Sequence, residues 1–525
     1  MAENVVSMQK IVSLCKRRGF VYQSSEIYGG LRSAYDYGPM GVELKRNLMN
    51  EWWRAMVHSR EDIVGIDASI VMHPQVWRSS GHLSSFSDPL VDCKVCGERF
   101  RADKAPQLAE GEKAELHFAD KGRAKAALGK VEQLAGDAEV ARRGKSIDGV
   151  VAGDRGYVCP NCGSPFLSEE RQFNLMFRTF HGPVDPVGDV VKAVQDAVEA
   201  GEDPRAAAEA SLAESSVYLR PETAQAMFVQ FANVLQSTSM KVPFGIAQMG
   251  KSFRNEVTVE HFIFRSVEFE QMEMEYFVPP GEGFKWLDYW KEERMKWWST
   301  FLKPENLRFR QHGDDELAHY SDGCFDVDYQ FPWGWDELEG IASRTDYDLK
   351  AHTEGSGKKL LYFDPQAQDP ETGKQGWRYM PHVVEPAAGA TRGVLAVLCD
   401  AYDEEEGDES GKGARTVLRL HPRLAPIKAG ILPLVKKDGM PEKAREIVER
   451  FLDAGINAKY DAQHAIGKRY ARHDEIGTPY CLTVDGDTMK DETVTIRYRD
   501  DRRQERIAID EAVAVVRQAL AEGAR

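Results

Sequence analysis

The chain has 525 residues, 42 % hydrophobic and 10 % aromatic, with a formal net charge of −16 at pH 7. That length and composition suit a globular protein of two or three domains with a large core. The acidic balance argues against a protein that lives on bulk DNA, although it leaves room for a local basic face that binds RNA. No apolar run approaches the roughly 18 residues of a membrane span, and the first twenty residues, MAENVVSMQKIVSLCKRRGF, lack a signal-peptide core. A cytoplasmic protein with no membrane and no DNA partner is expected.

In chain order, Gly38-Pro39-Met40-Gly41 leads into VELKRNLMNEWWRAMV, where Leu44, Leu48, Trp52 and Met56 recur at helical spacing. The spacing predicts a core-facing helix. Two CxxC pairs follow, Cys93 with Cys96 and Cys159 with Cys162, separated by 62 residues. Four thiolates suit a tetrahedral Zn²⁺; reduced cysteines without metal remain the alternative. The other four cysteines, Cys15, Cys324, Cys399 and Cys481, are scattered, a pattern of reduced thiols and not of a disulfide framework. Between the pairs, residues 102–156 are rich in Ala, Lys, Glu and Gly and predict a helical insertion. Residues 183–212 predict a second, smaller helical one.

The segment 250–277, GKSFRNEVTVEHFIFRSVEFEQMEMEYF, carries two cations, an aromatic and a run of acids. Read as a hairpin, it places Arg254 and Glu256 on one face, and Phe269, Gln271, Glu273 and Glu275 on another, because strand side chains alternate. Phe269 and Glu273 then stand roughly 13 Å apart. An exposed face of this kind fits a flat base, a phosphate and an ammonium in that order, the arrangement of an aminoacyl-adenylate. An edge hairpin with a charged solvent face explains the residues equally well. Gly245 to Ser252 also matches the P-loop pattern G-x-x-x-x-G-K-[ST]. Its middle residues continue a strand and no helical period follows, so a P-loop is not expected.

DEEEGDESGKG (403–413) predicts a solvated loop. Beyond it the texture is α/β: strand-like RTVLRLHPRLAPIKAGILPLV, an amphipathic MPEKAREIVERFLDAG, then strands and a closing helix. Residues 416–525 predict a separate α/β domain. Lys468, Arg469 and Arg472 there offer phosphate or base contacts, or simply a solvated basic face.

FRNE with FRSVEFEQME resembles motif 2 of the class II aminoacyl-tRNA synthetases. YGPMGVELKRNLMNEWW resembles their motif 1, and EPAAGATRGVLAVL (385–398) their motif 3. With RPETAQ, SGH and WDELEGIA, the set is similar to the homodimeric type of glycyl-tRNA synthetase. The resemblance implies an α+β fold: an antiparallel-sheet catalytic core flanked by helices over 1–415, interrupted by the zinc-knuckle insertion 93–162 and by 183–212, then an anticodon-binding domain over 416–525. It implies glycine–tRNA ligation with ATP and Mg²⁺ and with tRNA(Gly) as substrate, by a homodimer holding structural Zn²⁺.

The resemblance also implies roles. Arg254 would hold the α-phosphate and stabilise transition-state charge with Arg392 on the opposite side. Glu256 would read adenine, Arg265 the outer phosphates, and Phe269 would stack on the base. Asn255, Phe264, Leu338 and Gly389 complete the ATP site, and Glu337 would hold Mg²⁺ with the ATP. Glu222, Glu273 and Glu385 would surround the glycine ammonium, with Arg101, Phe269, Gln271, Ala387 and Gly389 completing that site. Many relatives carry Ser where this chain has Ala387, so a hydroxyl contact there is missing or replaced. Another small amino acid as substrate, a non-catalytic RNA-binding paralogue and a P-loop ATPase are the competing functions.

Overall fold

The computed structural model describes residues 6–108, 156–183, 185–256, 261–313, 315–318, 320–406 and 415–522, with parts of 114–150. Residues 257–260, most of the acid run 403–413 and much of the insertion 102–156 lie outside the described residues. These form two compact units: Met1–Ile70, Glu222–Ser252 and His261–Arg525 in the first, Val71–Pro221 and Phe253–Glu260 in the second.

In the first unit the expected helix runs over Pro39–Trp53, with Pro at its first position, where a missing N–H costs nothing. Leu44, Leu48 and Trp52 are fully buried on its core side. The helix continues as a single π-helical stretch, Arg54–His58, that buries Met56. Gly41 is the close-approach point: a Cβ there would lie 1.8 Å from the Phe20 carbonyl oxygen.

The core packs on a seven-stranded sheet in the order Leu307–Gln311, Gly323–Phe331, Gly334–Thr345, His382–Gly389, Glu268–Val278, Phe244–Phe253, Ile63–Gly65. The pairs from the first strand to Glu268–Val278 are antiparallel, and Ile63–Gly65 pairs parallel to Phe244–Phe253. The P-loop-like residues Gly245 to Ser252 lie wholly within a strand, and Lys251 pairs with Glu268. That strand ends at Phe253, so Arg254 and Glu256 are not strand residues sharing a face. The returning strand is also not an exposed face: Gln271, Glu273 and Glu275 are all buried.

The C-terminal residues of this unit have their own core, around Ile431, Ile447, Phe451, Leu482 and Val516. Their sheet runs Ala458–Tyr460, Ala429–Pro433, Tyr480–Val484, Thr493–Tyr498, Gln504–Ala508, parallel in its first three strands and antiparallel after. Arg415–Leu418 pairs with Tyr402–Glu405, so a boundary at 416 cuts a hairpin. Of the three cations expected to face RNA, Arg469 is buried and donates to the carbonyls of Pro433 and Asp461, and Arg472 pairs with Asp461. Lys468 alone is exposed.

Among its described residues the second unit holds three three-stranded sheets; two are Arg171–Asn174 with Ser87–Asp92 and Arg99–Arg101, and Arg178–Phe180 with Ser216–Leu219 and Val71–Met72. The smaller insertion is helical as expected, over Val187–Ala200 and Pro204–Ser215. The larger one departs from the expected helix: its described residues include a three-stranded sheet of Ala114–Leu116, Ser146–Val150 and Ala141–Arg143. Ala- and Lys-rich composition favours helix, but strand pairing within the segment overrides that weak preference.

Gly41→Ala is expected to destabilise the first unit by about 1–3 kcal/mol, the usual cost of overpacking where the neighbour is backbone. A lower urea midpoint would show it; an unchanged midpoint would mean that the helix and Phe20 separate freely.

Candidate active site

Three neighbouring strands build a cluster of buried acids in the first unit. Glu273 lies opposite Ala387, and Ala387 opposite Gly340. Alternation puts Gln271, Glu273 and Glu275 on one face of their strand and Glu385, Ala387 and Gly389 on the same face of the next. Glu273 accepts from the Thr223 backbone N–H at 2.9 Å, from the Thr223 hydroxyl, and from Gln271 at 2.5 Å. Glu222, just ahead of the helix Ala224–Thr238, accepts from Gln225 at 2.9 Å. Gln225 also donates to Asp348 at 2.9 Å and meets His352 at 2.8 Å.

Arg344 brings positive charge into this acid cluster. Its guanidinium donates to both oxygens of Asp348 at 2.8 and 3.1 Å and to Glu385, and it lies 4.1 Å from the centre of the Tyr320 ring. The charges remain unbalanced. Burial, with Glu273 and Glu222 nearby, pushes the Glu385 carboxyl up to about 8 against the pull of Arg344. Glu275 is fully buried and neither carboxyl oxygen has a hydrogen-bond partner among the described residues. Burial first, and Glu385 second, hold it well above the usual carboxylate range.

At the far end of the same strands, Arg392 stands in the first turn of the helix Ala390–Ala401. It pairs with Glu337 at 3.0 Å and its guanidinium lies 4.4 Å from the centre of the Phe264 ring. Phe264 is itself packed against Phe331 and Trp333, so its ring backs the arginine. A bulge places Glu337 opposite Asp328 and Glu339 opposite Val327. Leu338, between them, is fully buried in the core and can present only backbone. Asp326 and Asp328 lie buried on the neighbouring strand. Burial, then Glu337, raises the Asp326 carboxyl, which meets Arg310 and, at 2.9 Å, His312; Asp328 pairs with Arg308 at 2.9 Å, and its Oδ1 stands 3.8 Å from Arg310 Nε. Phe269 and Arg265 are half-buried.

The other expected residues belong to the second unit. Arg254 donates to the Pro221 carbonyl at 3.0 Å and lies 5.4 Å from the centre of the Phe86 ring; the Asn255 backbone N–H donates to the Leu175 carbonyl. Arg101 is paired with Asp88 at 2.8 Å and Asp103 at 2.7 Å, and Glu256 adds to the field at its guanidinium.

Residues 428–519 match the anticodon binding domain family. The whole chain is 45 % identical over 520 residues to the glycine–tRNA ligase of Treponema denticola, covering 98 % of each chain. It is 47 % identical over 507 residues to that of Clostridium kluyveri, covering 96 % of each. The chain belongs to the glycine–tRNA ligase family. Its fold is that of a class II synthetase: a prolyl-tRNA synthetase from Cryptosporidium parvum, solved with L-proline and AMP, superposes with a TM-score of 0.55 at 12 % identity, over 99 % of this chain and 77 % of the other.

In this glycine–tRNA ligase the four CxxC cysteines converge. Cys93 Sγ lies 3.6 Å from Cys162 Sγ, and Cys96 Sγ 3.7 Å from Cys159 Sγ. Four sulfurs at about 2.3 Å from a tetrahedral Zn²⁺ would stand about 3.8 Å apart, so the donor set fits that ion. The cluster has its own small core, with Val91, Phe100 and Leu167. Sequence reading missed Arg344, Asp348, Gln225 and Thr223. Thr223 and Gln225 stand within the RPETAQ segment, which was singled out without a role for them, and Arg344 was signalled only by strand alternation from Gly340.

Zinc analysis of the purified chain should find about one ion per molecule. Cys96→Ser with Cys162→Ser should remove it and loosen the second unit to proteolysis. Metal-free wild-type protein with an unchanged digestion pattern would overturn the metal reading.

Proposed function

We propose that the acidic pocket is the glycine site of this glycine–tRNA ligase, and that the strand ends around Arg392 and Glu337 hold ATP with Mg²⁺. The observation that carries the reading is the cluster of Glu222, Glu273 and Glu385 about Arg344 and Asp348, floored by the small residues Gly340 and Ala387. Carboxylates there would receive the ammonium of glycine, and the absence of long side chains on the floor suits the smallest amino acid. A filled pocket would reject larger ones sterically, which removes the need for editing because nothing smaller competes.

The carboxylate of glycine would attack the α-phosphorus and pyrophosphate would leave. Arg254 and Arg392 would bear the charge that develops on the phosphoryl oxygens, and Phe269 and Glu256 would hold the adenine. Asn255, Arg265, the Leu338 backbone and Gly389 would complete the nucleotide site. Such chemistry needs placement and charge stabilisation more than proton transfer. Mg²⁺, held by Glu337, would neutralise phosphate charge. Arg101, Gln271, Ala387 and Gly389 would finish the amino-acid site. Glycyl transfer to the 3′ end of tRNA(Gly) would follow, with the catalytic region 1–415 carrying the insertions and 416–525 reading the anticodon. Zn²⁺ on the four cysteines, a homodimer and a cytoplasmic setting belong to the same reading.

Pyrophosphate exchange, run with each amino acid singly, should proceed with glycine alone; exchange with alanine or serine would overturn the pocket assignment. Lys251→Ala should leave exchange near the wild-type rate, since Lys251 is a strand residue paired with Glu268; its loss would revive the P-loop.

The pH dependence has a definite sign. With the Glu385 carboxyl at about 8 in the empty pocket, its charged form is present above that pH and is lost below it. Glycine must then displace a proton, so its KM should rise as pH falls from about 8 towards 6 while kcat changes less. A KM flat across that range would mean Glu385 does not meet the ammonium.

A further inference from the structure

Glu222 and Glu385 stand on separate elements, one just ahead of the helix Ala224–Thr238 and the other in the strand His382–Gly389. A continuous chain of side-chain hydrogen bonds joins them. Gln225 Nε2 donates to Glu222 Oε1 at 2.9 Å and to Asp348 Oδ1 at 2.9 Å. Asp348 accepts in turn from Arg344, whose Nη2 meets Oδ1 at 3.1 Å and whose Nε meets Oδ2 at 2.8 Å. Arg344 Nη1 then donates to Glu385 Oε2. Gln225, Asp348 and Arg344 are all buried.

Helical spacing assembles this chain. Asp348 and His352 are four residues apart in the helix Tyr347–Ser356, so they lie one above the other on one face. Both meet Gln225. Gln225 and Phe228 are three apart in their own helix, and the Arg344 guanidinium lies 5.4 Å from the centre of the Phe228 ring. One helix face thus carries both a polar and an apolar contact to the same cluster.

The partners also fix which way the Gln225 amide points. Two carboxylates need donors, so the nitrogen must face both of them. A flipped amide would set its oxygen against two anions. The carbonyl is left towards His352 Nε2 at 2.8 Å, so that ring nitrogen carries a proton and donates it. A neutral amide bridges two carboxylates without adding charge, whereas a glutamate in its place would add another anion to a crowded, buried cluster.

We infer that Gln225 is a positioning residue for the glycine site, setting Glu222 at a fixed distance from Glu385 through Asp348 and Arg344, with His352 locking its amide. The inference rests on the reading of Glu222 and Glu385 as groups that meet the ammonium. Gln225 and His352 act through those carboxylates and need no contact with substrate. An ammonium directs its N–H bonds tetrahedrally, so its affinity depends on where the carboxylates stand relative to one another, and a site of this kind works only when its supporting residues hold it closely.

Pyrophosphate exchange, with glycine and ATP varied separately, tests the brace. Gln225→Met keeps the side-chain length and loses both donors; the glycine KM should rise about ten-fold, while kcat and the ATP KM stay within about two-fold of the wild type. His352→Leu should raise the glycine KM several-fold, and His352→Gln, which restores an N–H donor, should recover most of that loss. In the Gln225→Met background His352→Leu should add nothing, because His352 acts through the missing amide. Full additivity of the two substitutions overturns the inference. So does a lower thermal midpoint with kcat and both KM values moving together, the pattern of a merely packing role. Glu222→Gln and Glu385→Gln separate the brace from the pocket itself. If they raise the glycine KM and Gln225→Met does not, the brace is wrong and the pocket stands. If neither raises it, the pocket reading is wrong and the inference falls with it.

Discussion

The buried guanidinium of Arg344 is the interaction on which the pocket depends. It is nearly inaccessible to water and holds Asp348 and Glu385 at once. Carboxylates at Glu222, Glu273, Glu275, Glu385 and Asp348 share one low-dielectric space; even with Arg344 present Glu385 and Glu275 are raised, and without it Glu385 and Asp348 would lose the buried cation they share. Removing one partner of a buried pair of this kind typically costs about 3–5 kcal/mol, mostly because the other charge is stranded. The antiparallel sheet makes the cluster possible. Paired strands bring Glu273, Ala387 and Gly340 side by side, although they are more than forty residues apart in the chain.

The same sheet divides its labour between two faces. The pocket face carries charge. The other carries Ile341 and the Glu339–Arg294–Trp298 cluster against a helix rich in tryptophan. The bulge at Leu338 sets the division, turning Glu337 towards Arg392 while Glu339 stays with the helix. A bulge re-aims side chains at the cost of one unpaired residue, and such features recur beside active sites. Rigid strands then hold Arg392 and the acidic pocket in fixed relation, which an enzyme relying on placement requires.

Much of the fold was legible in the sequence. Leu44, Leu48, Trp52 and Met56 predicted the helix over 39–53 because a single 3.6-residue period is local information. The strand-like runs and amphipathic helices after 416 predicted the C-terminal α/β domain for the same reason. The motif-like GIAQMGKS read correctly as a strand, since nothing after it had a helical period. Composition alone was a mixed guide: it was right for the helical insertion 183–212 and misleading elsewhere. The 102–156 insertion is Ala- and Lys-rich, yet its described residues include strands. Arg469 and Arg472 looked like a basic face and are held by carbonyls and by Asp461. Charge in a sequence does not reveal whether a carboxylate waits in the fold.

The sequence by itself determined the family: motif-bearing segments in a fixed order, two CxxC pairs, and the acidic character of one strand. Only the tertiary structure decided that these acids are buried and converge on Arg344. It also showed that the four cysteines meet across a 62-residue gap. The physical reason is the same in each case. Periodicity and turn chemistry are written along the chain, whereas burial, charge pairing and metal geometry are set by which distant residues share a volume once the strands have paired.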